Sequence, residues 1–199
     1  MDNIVYRYEG SGSKYINLTN QCQNSCDFCI RNNAVGVSGY HLWIEREPTA
    51  KEVINELARQ GEPYDVVFCG YGEPTMALDV LKEVAAWVKE QGGTTRLNTN
   101  GLANRYFGRN VAEELAGLVD VASVSLNEAD AKKYDAVCHS VYGEEAFYDM
   151  LDFARKAGEA GIDTVLSVVD IIGEQDIEKC RRLAEEAGVR LRVREYSDK

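Results

Sequence analysis

The chain has 199 residues, of which 45% are hydrophobic and 28% charged, and its formal net charge is −11 at pH 7. This length and composition predict one globular domain, residues 1–199, with a substantial core. The negative charge argues against a nucleic-acid partner, which would require a basic surface. No apolar run approaches the roughly 18 residues of a membrane span, and the first residues lack the pattern of a secretion signal. We therefore predict a cytoplasmic protein with reduced cysteines.

Strand and helix patterns alternate along the chain. Residues 5–9 and 14–19 are predicted to form a hairpin, whose second arm is the first core strand. Further strands are predicted over residues 64–69, 94–99, 119–126, 162–169 and 189–193. Helices are predicted to begin near residues 50, 75, 110, 144 and 175, whereas residues 127–142 have no regular pattern.

The first of these helices carries the clearest local signals. Thr49 and Glu52 have the spacing of a capping box, and Val53, Ile54, Leu57 and Ala58 are predicted to share its buried face.

Six strand–helix units imply a parallel sheet with right-handed crossovers. A closed eight-fold barrel typically takes about 250 residues. The alternatives are therefore an open, doubly wound sheet and a six-unit partial barrel.

Three cysteines follow the predicted strand 14–19 in the spacing Cys22-x3-Cys26-x2-Cys29. A loop with three closely spaced thiols is typical of a metal site. A structural zinc site or a closed iron–sulfur cluster normally takes four protein ligands. Three thiolates on a four-iron cluster would leave one iron open to a small molecule.

Polar and glycine-rich clusters follow the other predicted strands. Gly70, Tyr71, Gly72 and Glu73 follow the second core strand, Asn98 and Asn100 lie at the end of the third, and Ser125 and Asn127 at the end of the fourth. The carboxyl ends of parallel strands form the binding edge of such folds, so these residues are predicted to lie in one site with the cysteine loop. The alternative for each polar residue is a turn or a helix cap.

Together, the cysteine motif, Gly72-Glu73-Pro74 and Asn98-Thr99-Asn100-Gly101 resemble the radical S-adenosylmethionine (SAM) superfamily. Their order and spacing cover nearly the whole chain. The resemblance implies an α/β fold, a (βα)6 partial TIM-type barrel with parallel strands, limited to the family core. By size and by the texture of the cysteine loop, the chain looks most like the small radical SAM proteins whose genes lie beside those of TatD-type hydrolases.

The resemblance also implies a cofactor set and a reaction. Cys22, Cys26 and Cys29 would bind a [4Fe–4S] cluster whose fourth iron chelates SAM. Reductive cleavage of SAM would give a 5′-deoxyadenosyl radical that abstracts hydrogen from a substrate. Residues expected to contact SAM are Phe28 near the adenine, Gly70, Tyr71, Gly72 and Glu73 at the ammonium group, and Asn98, Asn100, Ser125 and Asn127 at the ribose or carboxylate.

The expected partners are a low-potential electron donor, a protein, peptide or small-molecule substrate, and a TatD-type hydrolase as a functional link. The rival hypothesis is a non-catalytic zinc or iron–sulfur module in which His41 is the fourth ligand beside the three cysteines. Cys69 is predicted to be a core thiol or to lie near the methionine of SAM. Cys138 has no evident partner in the sequence, and Cys180 is predicted to be a buried small hydrophobe.

Overall fold

The computed structural model describes residues 3–8, 10–32, 36 and 39–196. Its strands form a mostly parallel, seven-stranded α/β sheet that is not closed, which confirms the predicted fold class. The contacts divide the chain into two compact units. Unit 1 comprises residues 1–22, 27–98 and 118–120, and unit 2 comprises residues 23–26, 99–117 and 121–199.

Unit 1 contains the first four strands, and they pair in sequence order. The strands are β1 (Val5–Tyr6), β2 (Lys14–Asn17), β3 (Asp65–Cys69) and β4 (Thr94–Thr99). β1 is antiparallel to β2, as predicted for the hairpin, and the pairs β2–β3 and β3–β4 are parallel. The first arm was predicted to extend to residue 9, which lies outside the described residues.

The strands of unit 1 have two different faces. Ile16, Phe68 and Leu97 are neighbours in register and are fully buried. The opposite face carries Asn17 and Cys69, which face each other across β2 and β3, and Cys69 packs there against a second buried cluster that contains Tyr6 and Tyr71. Because alternate residues of a strand point to opposite sides, this face is separate from the apolar core.

The described part of unit 1 also contains two α-helices, α1 (Ala50–Gln60) and α2 (Leu78–Glu90). The capping box is confirmed, since the Thr49 hydroxyl accepts a hydrogen bond from the Glu52 backbone and the Glu52 carboxylate accepts one from the Thr49 backbone. The predicted buried face of α1 is correct for Val53 and Leu57, but Ala58 is exposed. The buried residues of α1 form a narrow stripe along one side of the helix, and the helical period places Ala58 outside it.

Unit 2 contains three parallel strands and five helices within its described residues. The strands are β5 (Val121–Ser125), β6 (Asp163–Val169) and β7 (Arg190–Arg194), paired in that order. The helices are α3 (Ala103–Phe107), α4 (Val111–Glu114), α5 (Ala131–Cys138), α6 (Glu145–Glu159) and α7 (Glu174–Glu186).

Two of these helices differ from the sequence prediction. α3 was not predicted, and α5 lies in the stretch expected to be irregular. Asp130 caps α5, because its carboxylate accepts a hydrogen bond of 2.9 Å from the Lys133 backbone. Along the described chain, no helix is long and apolar enough to cross a membrane.

Candidate functional site

In unit 1, the cysteine loop begins at the end of β2, where polar side chains hold it. Asn20 donates to the Ile44 carbonyl at 2.7 Å and accepts from the Ile44 backbone at 3.2 Å. Glu47 accepts hydrogen bonds from the Thr19 hydroxyl at 2.5 Å and from Gln21 Nε2 at 2.7 Å. The residues just before Cys22 are therefore tied to the far end of the same loop.

The loop of residues 70–73 packs tightly on the end of β2. Gly70 has a φ of +125°, and a methyl group there would lie 2.1 Å from Asn17 Oδ1. A methyl group at Gly72 would lie 2.3 Å from the carbonyl oxygen of Thr19. The Tyr71 backbone donates to Asn17 Oδ1 at 3.2 Å. Glycine is therefore required at these two positions because the loop lies directly against residues 17–21 of the same chain.

Glu73 is buried at the start of a 3-10 turn, Pro74–Ala77. Its carboxylate accepts from the Thr75 hydroxyl at 2.7 Å and from the Thr75 backbone at 3.2 Å. Its own backbone donates to the Gln21 carbonyl at 2.7 Å. Glu73 therefore caps the turn and links it to the cysteine loop, and its contact with an ammonium group stays a prediction.

Asn98 lies near the end of β4, where its Oδ1 accepts a hydrogen bond of 3.0 Å from Arg96 Nε. Cys69 ends β3, and burial raises the pKa of its thiol to about 12. Phe28 is 51% exposed, so its ring is accessible to a planar ligand.

In unit 2, the segment 23–26 is held by two backbone hydrogen bonds. The Ser25 backbone donates to the Cys138 carbonyl at 2.9 Å, and the Val141 backbone donates to the Gln23 carbonyl at 3.0 Å. Asn100 Nδ2 donates to Gln23 Oε1 at 2.9 Å. Asn100 therefore contacts the segment 23–26, and its contact with SAM stays a prediction.

Cys138 is the residue of this region that sequence reasoning missed. It is fully buried at the end of α5. A hydrogen bond with Cys26 lowers the pKa of its thiol, and Asn127 Nδ2 contributes with a contact of 3.3 Å to the sulfur. Asn127 adopts a φ of +63°, a left-handed conformation that asparagine tolerates.

Ser125 is the last residue of β5, where it pairs in register with Ser167 of β6.

The three motif cysteines fit an iron–sulfur group in the chemistry of their donors. None of the three forms a disulfide and all are partly exposed, and thiolates are the soft ligands that such clusters take. Within the described residues, no three or more His, Cys, Asp or Glu side chains are arranged to hold a metal ion. The binding of a cluster by these three cysteines stays a prediction. The side chain of His41 is exposed.

The sequence matches the model of the radical SAM superfamily over residues 16–187. The chain belongs to this superfamily. Membership implies an iron–sulfur cluster and SAM as the cofactors of a radical SAM enzyme. No curated protein matches the sequence.

Solved structures share the radical SAM fold. SuiB of Streptococcus suis bound to its precursor peptide SuiA is 21% identical, with a TM-score of 0.69, and the match covers 92% of this chain and 39% of that one. anSMEcpe with bound AdoMet is 14% identical, with a TM-score of 0.68 and coverages of 92% and 51%. TYW1 with a lysine–pyruvate adduct is 21% identical, with a TM-score of 0.64 and coverages of 94% and 65%. The chain thus spans about two fifths to two thirds of their lengths, and the likeness concerns the fold.

Proposed function

We propose that this protein is a radical SAM enzyme that cleaves SAM reductively and abstracts hydrogen from a protein, peptide or small-molecule substrate. The observation that carries the proposal is the superfamily match over residues 16–187, which contains the complete Cys22-x3-Cys26-x2-Cys29 motif. When bound, a reduced [4Fe–4S] cluster supplies the electron that splits SAM into methionine and a 5′-deoxyadenosyl radical.

The residues of the chain hold and orient these groups in the proposal. Cys22, Cys26 and Cys29 are the cluster ligands. Cys138 lies beside one of these proposed ligands, since its thiol hydrogen-bonds that of Cys26.

The proposed SAM contacts come from four parts of the chain. The backbone of Gly70, Tyr71 and Gly72 with the Glu73 carboxylate receives the ammonium group, and Phe28 covers the adenine. Asn98, Asn100, Ser125 and Asn127 bind the ribose or the carboxylate. In the proposal, hydrogen bonds from these groups orient SAM.

A peptide or protein is the substrate class with support from the comparisons. SuiB is bound to the precursor peptide SuiA, and anSMEcpe has been solved with the Cp18Cys peptide. A low-potential electron donor must supply the reducing electron. A functional link to a TatD-type hydrolase and a cytoplasmic location stay predictions from the sequence.

The decisive experiment is an anaerobic assay for SAM cleavage. The protein is reconstituted with iron and sulfide, reduced with dithionite and incubated with SAM, and 5′-deoxyadenosine is measured by chromatography. Formation by the wild type and by Cys180→Ala, but not by Cys26→Ala, would support the proposal. Cys180 is a suitable control because it is buried on α7, outside the motif. A protein that carries one zinc ion and leaves SAM intact would overturn it.

A further inference from the structure

Unit 1 contains a cluster of tyrosines around one thiol, which the SAM-binding proposal does not use. The tyrosine–thiol cluster consists of Tyr6, Tyr8, Tyr15, Tyr40 and Cys69. The Tyr6 hydroxyl oxygen lies 3.2 Å from the sulfur of Cys69. The Tyr6 hydroxyl also hydrogen-bonds the Tyr8 hydroxyl. Sulfur and two phenol oxygens therefore form a continuous chain.

The rings of the tyrosine–thiol cluster are close-packed. The Tyr6 ring centre lies 5.6 Å from those of Tyr8 and Tyr15 and 5.8 Å from that of Tyr40. Tyr8 and Tyr15 meet edge to face at 4.3 Å. Tyr6 is almost fully buried, whereas the other three rings are partly exposed. The cluster thus leads from an interior phenol towards the surface.

Every member of the hydrogen-bonded chain keeps its hydrogen at neutral pH. Burial raises the pKa of the Cys69 thiol and that of the Tyr8 hydroxyl to about 12 each. Burial also raises the pKa of Tyr6. Cys69 is therefore a poor nucleophile and a poor metal ligand, both of which require the thiolate. Its S–H bond, which is weak towards hydrogen-atom transfer, is intact.

Cys69 stands next to the loop proposed for SAM. It is the last residue of β3 and directly precedes Gly70. It faces Asn17 across the sheet, and Asn17 is the residue that fixes the Tyr71 backbone. The thiol thus packs against the buried cluster of Tyr6, Leu42 and Tyr71, at the strand end beside the loop proposed for SAM.

We propose that Cys69 donates a hydrogen atom to a carbon radical formed beside residues 70–73, and that Tyr6 restores the thiol. This inference rests on the proposed function. In the first step the S–H bond of Cys69 breaks and a C–H bond forms, which leaves a sulfur radical. In the second step the O–H bond of Tyr6 breaks and the S–H bond reforms. The unpaired electron then resides on the Tyr6 phenoxyl, which an external one-electron reductant and a proton return to phenol.

A hydrogen-donor role of Cys69 can be distinguished from a purely structural hydrogen bond with Tyr6. A structural contact requires only a polar group at position 69, which serine would provide. Hydrogen-atom donation requires the weak S–H bond, and the O–H bond of serine is too strong to replace it. Cys69→Ser therefore separates the two roles without removing the side chain.

The test is the reconstituted protein with SAM and dithionite in D2O, without an added substrate. Thiol and phenol hydrogens exchange with D2O during preincubation, whereas C–H hydrogens do not. Donation by Cys69 therefore places one deuterium in 5′-deoxyadenosine, which mass spectrometry detects. We expect deuterated product from the wild type and from Cys180→Ala, and loss of the deuterated fraction in Cys69→Ser and Cys69→Ala.

Tyr6→Phe tests the second step. Without the phenol, Cys69 donates once and is not restored by Tyr6. We expect a deuterated first turnover and loss of deuterium in later turnovers. Circular dichroism of each variant checks that the fold is intact.

The amount and the labelling of the product report on different claims. Unlabelled deoxyadenosine from the wild type, or equal labelling in Cys69→Ser and the wild type, would overturn the hydrogen-donor role and leave the proposed function intact. No deoxyadenosine from the wild type would overturn the proposed function and this inference with it.

Discussion

The side chain of Asn17 fixes the backbone of Tyr71. Its Oδ1 accepts a hydrogen bond of 3.2 Å from the Tyr71 backbone, and its Nδ2 donates to the Leu42 carbonyl. Asn17 is fully buried at the end of β2. One amide group thus connects the first core strand to the loop after β3 and to the far end of the cysteine loop.

Asn17→Ala should destabilise unit 1. It removes the partner of the Tyr71 amide and of the Leu42 carbonyl inside the protein, where an unsatisfied polar group costs about 1–3 kcal/mol. We expect the free energy of unfolding in urea to fall by at least about 1 kcal/mol. Asn55→Ala, on the exposed side of α1, is the matched control. Equal stability of the two variants would contradict the role of Asn17.

Gly72→Ala should disturb the same region by crowding. The new methyl carbon would lie 2.3 Å from the Thr19 carbonyl oxygen and 2.7 Å from that of Gln21. Both are backbone atoms, so the loop must move, at a cost of about 1–3 kcal/mol. Gly12→Ala is the control, because a methyl group there has nothing within 4 Å. The expected result is lower stability and weaker SAM binding by calorimetry for Gly72→Ala alone, and normal SAM binding would refute it.

Regular alternation made most strands of the fold predictable. The bounds of β4 are those expected from its sequence, and the capping box located the start of α1. The predicted hairpin, the parallel order and the open sheet follow from the same local patterns. α5 was missed because its sequence has only a weak helical pattern of apolar residues. Its Tyr134 and Cys138 side chains are fully buried, but neither is a typical marker of a buried helix face.

The candidate site was predictable as a set of loops but not as a set of contacts. Motifs identified the cysteine loop and residues 70–73. Asn17 was not singled out, because its contact with Tyr71 joins residues 54 positions apart. Cys138 was dismissed for a similar reason, since its partner Cys26 is distant in sequence. Contacts between residues far apart in sequence depend on tertiary packing, which local sequence patterns do not predict.

Asp120 should make the stability of unit 1 depend on pH. Burial by itself raises the pKa of Asp120, but hydrogen bonds from Lys89 Nζ (2.6 Å) and the Thr95 backbone (2.8 Å) outweigh it and lower the pKa overall. A lowered folded-state pKa stabilises the protein above the unfolded value of about 3.9. This contribution is lost as the pH falls through the folded-state value.

We therefore expect Asp120→Ala to lower the free energy of unfolding at pH 7 by about 1 kcal/mol, since the carboxylate is partly exposed. The difference from the wild type should shrink below about pH 4. Urea unfolding between pH 2.5 and 7, chosen to span that value, measures it. Glu83→Ala, an exposed change on α2, provides the baseline. A difference that stays constant with pH would contradict the assignment.

Tyr134→Phe should loosen the segment around Cys26. The Tyr134 hydroxyl accepts a hydrogen bond of 3.1 Å from Asn24 Nδ2, and both residues are buried. Its loss should cost about 0.5–1.5 kcal/mol. We expect faster hydrogen exchange at the Ser25 amide, which donates to the Cys138 carbonyl. Tyr148→Phe, at a ring that is 58% exposed, should leave this exchange unchanged. Identical protection in both variants would show that the hydroxyl does not hold the segment.

His41→Ala separates the proposed enzyme from the zinc or iron–sulfur module. In the module, His41 is the fourth ligand, so its removal should lower the bound metal. In the proposed enzyme the three cysteines suffice, and the exposed His41 side chain contributes no ligand. We expect His41→Ala to keep the iron and sulfide content of the wild type after anaerobic reconstitution, measured by elemental and sulfide analysis. Cys26→Ala should lose most of both. Loss of metal in His41→Ala, with zinc in the purified wild type, would favour the module.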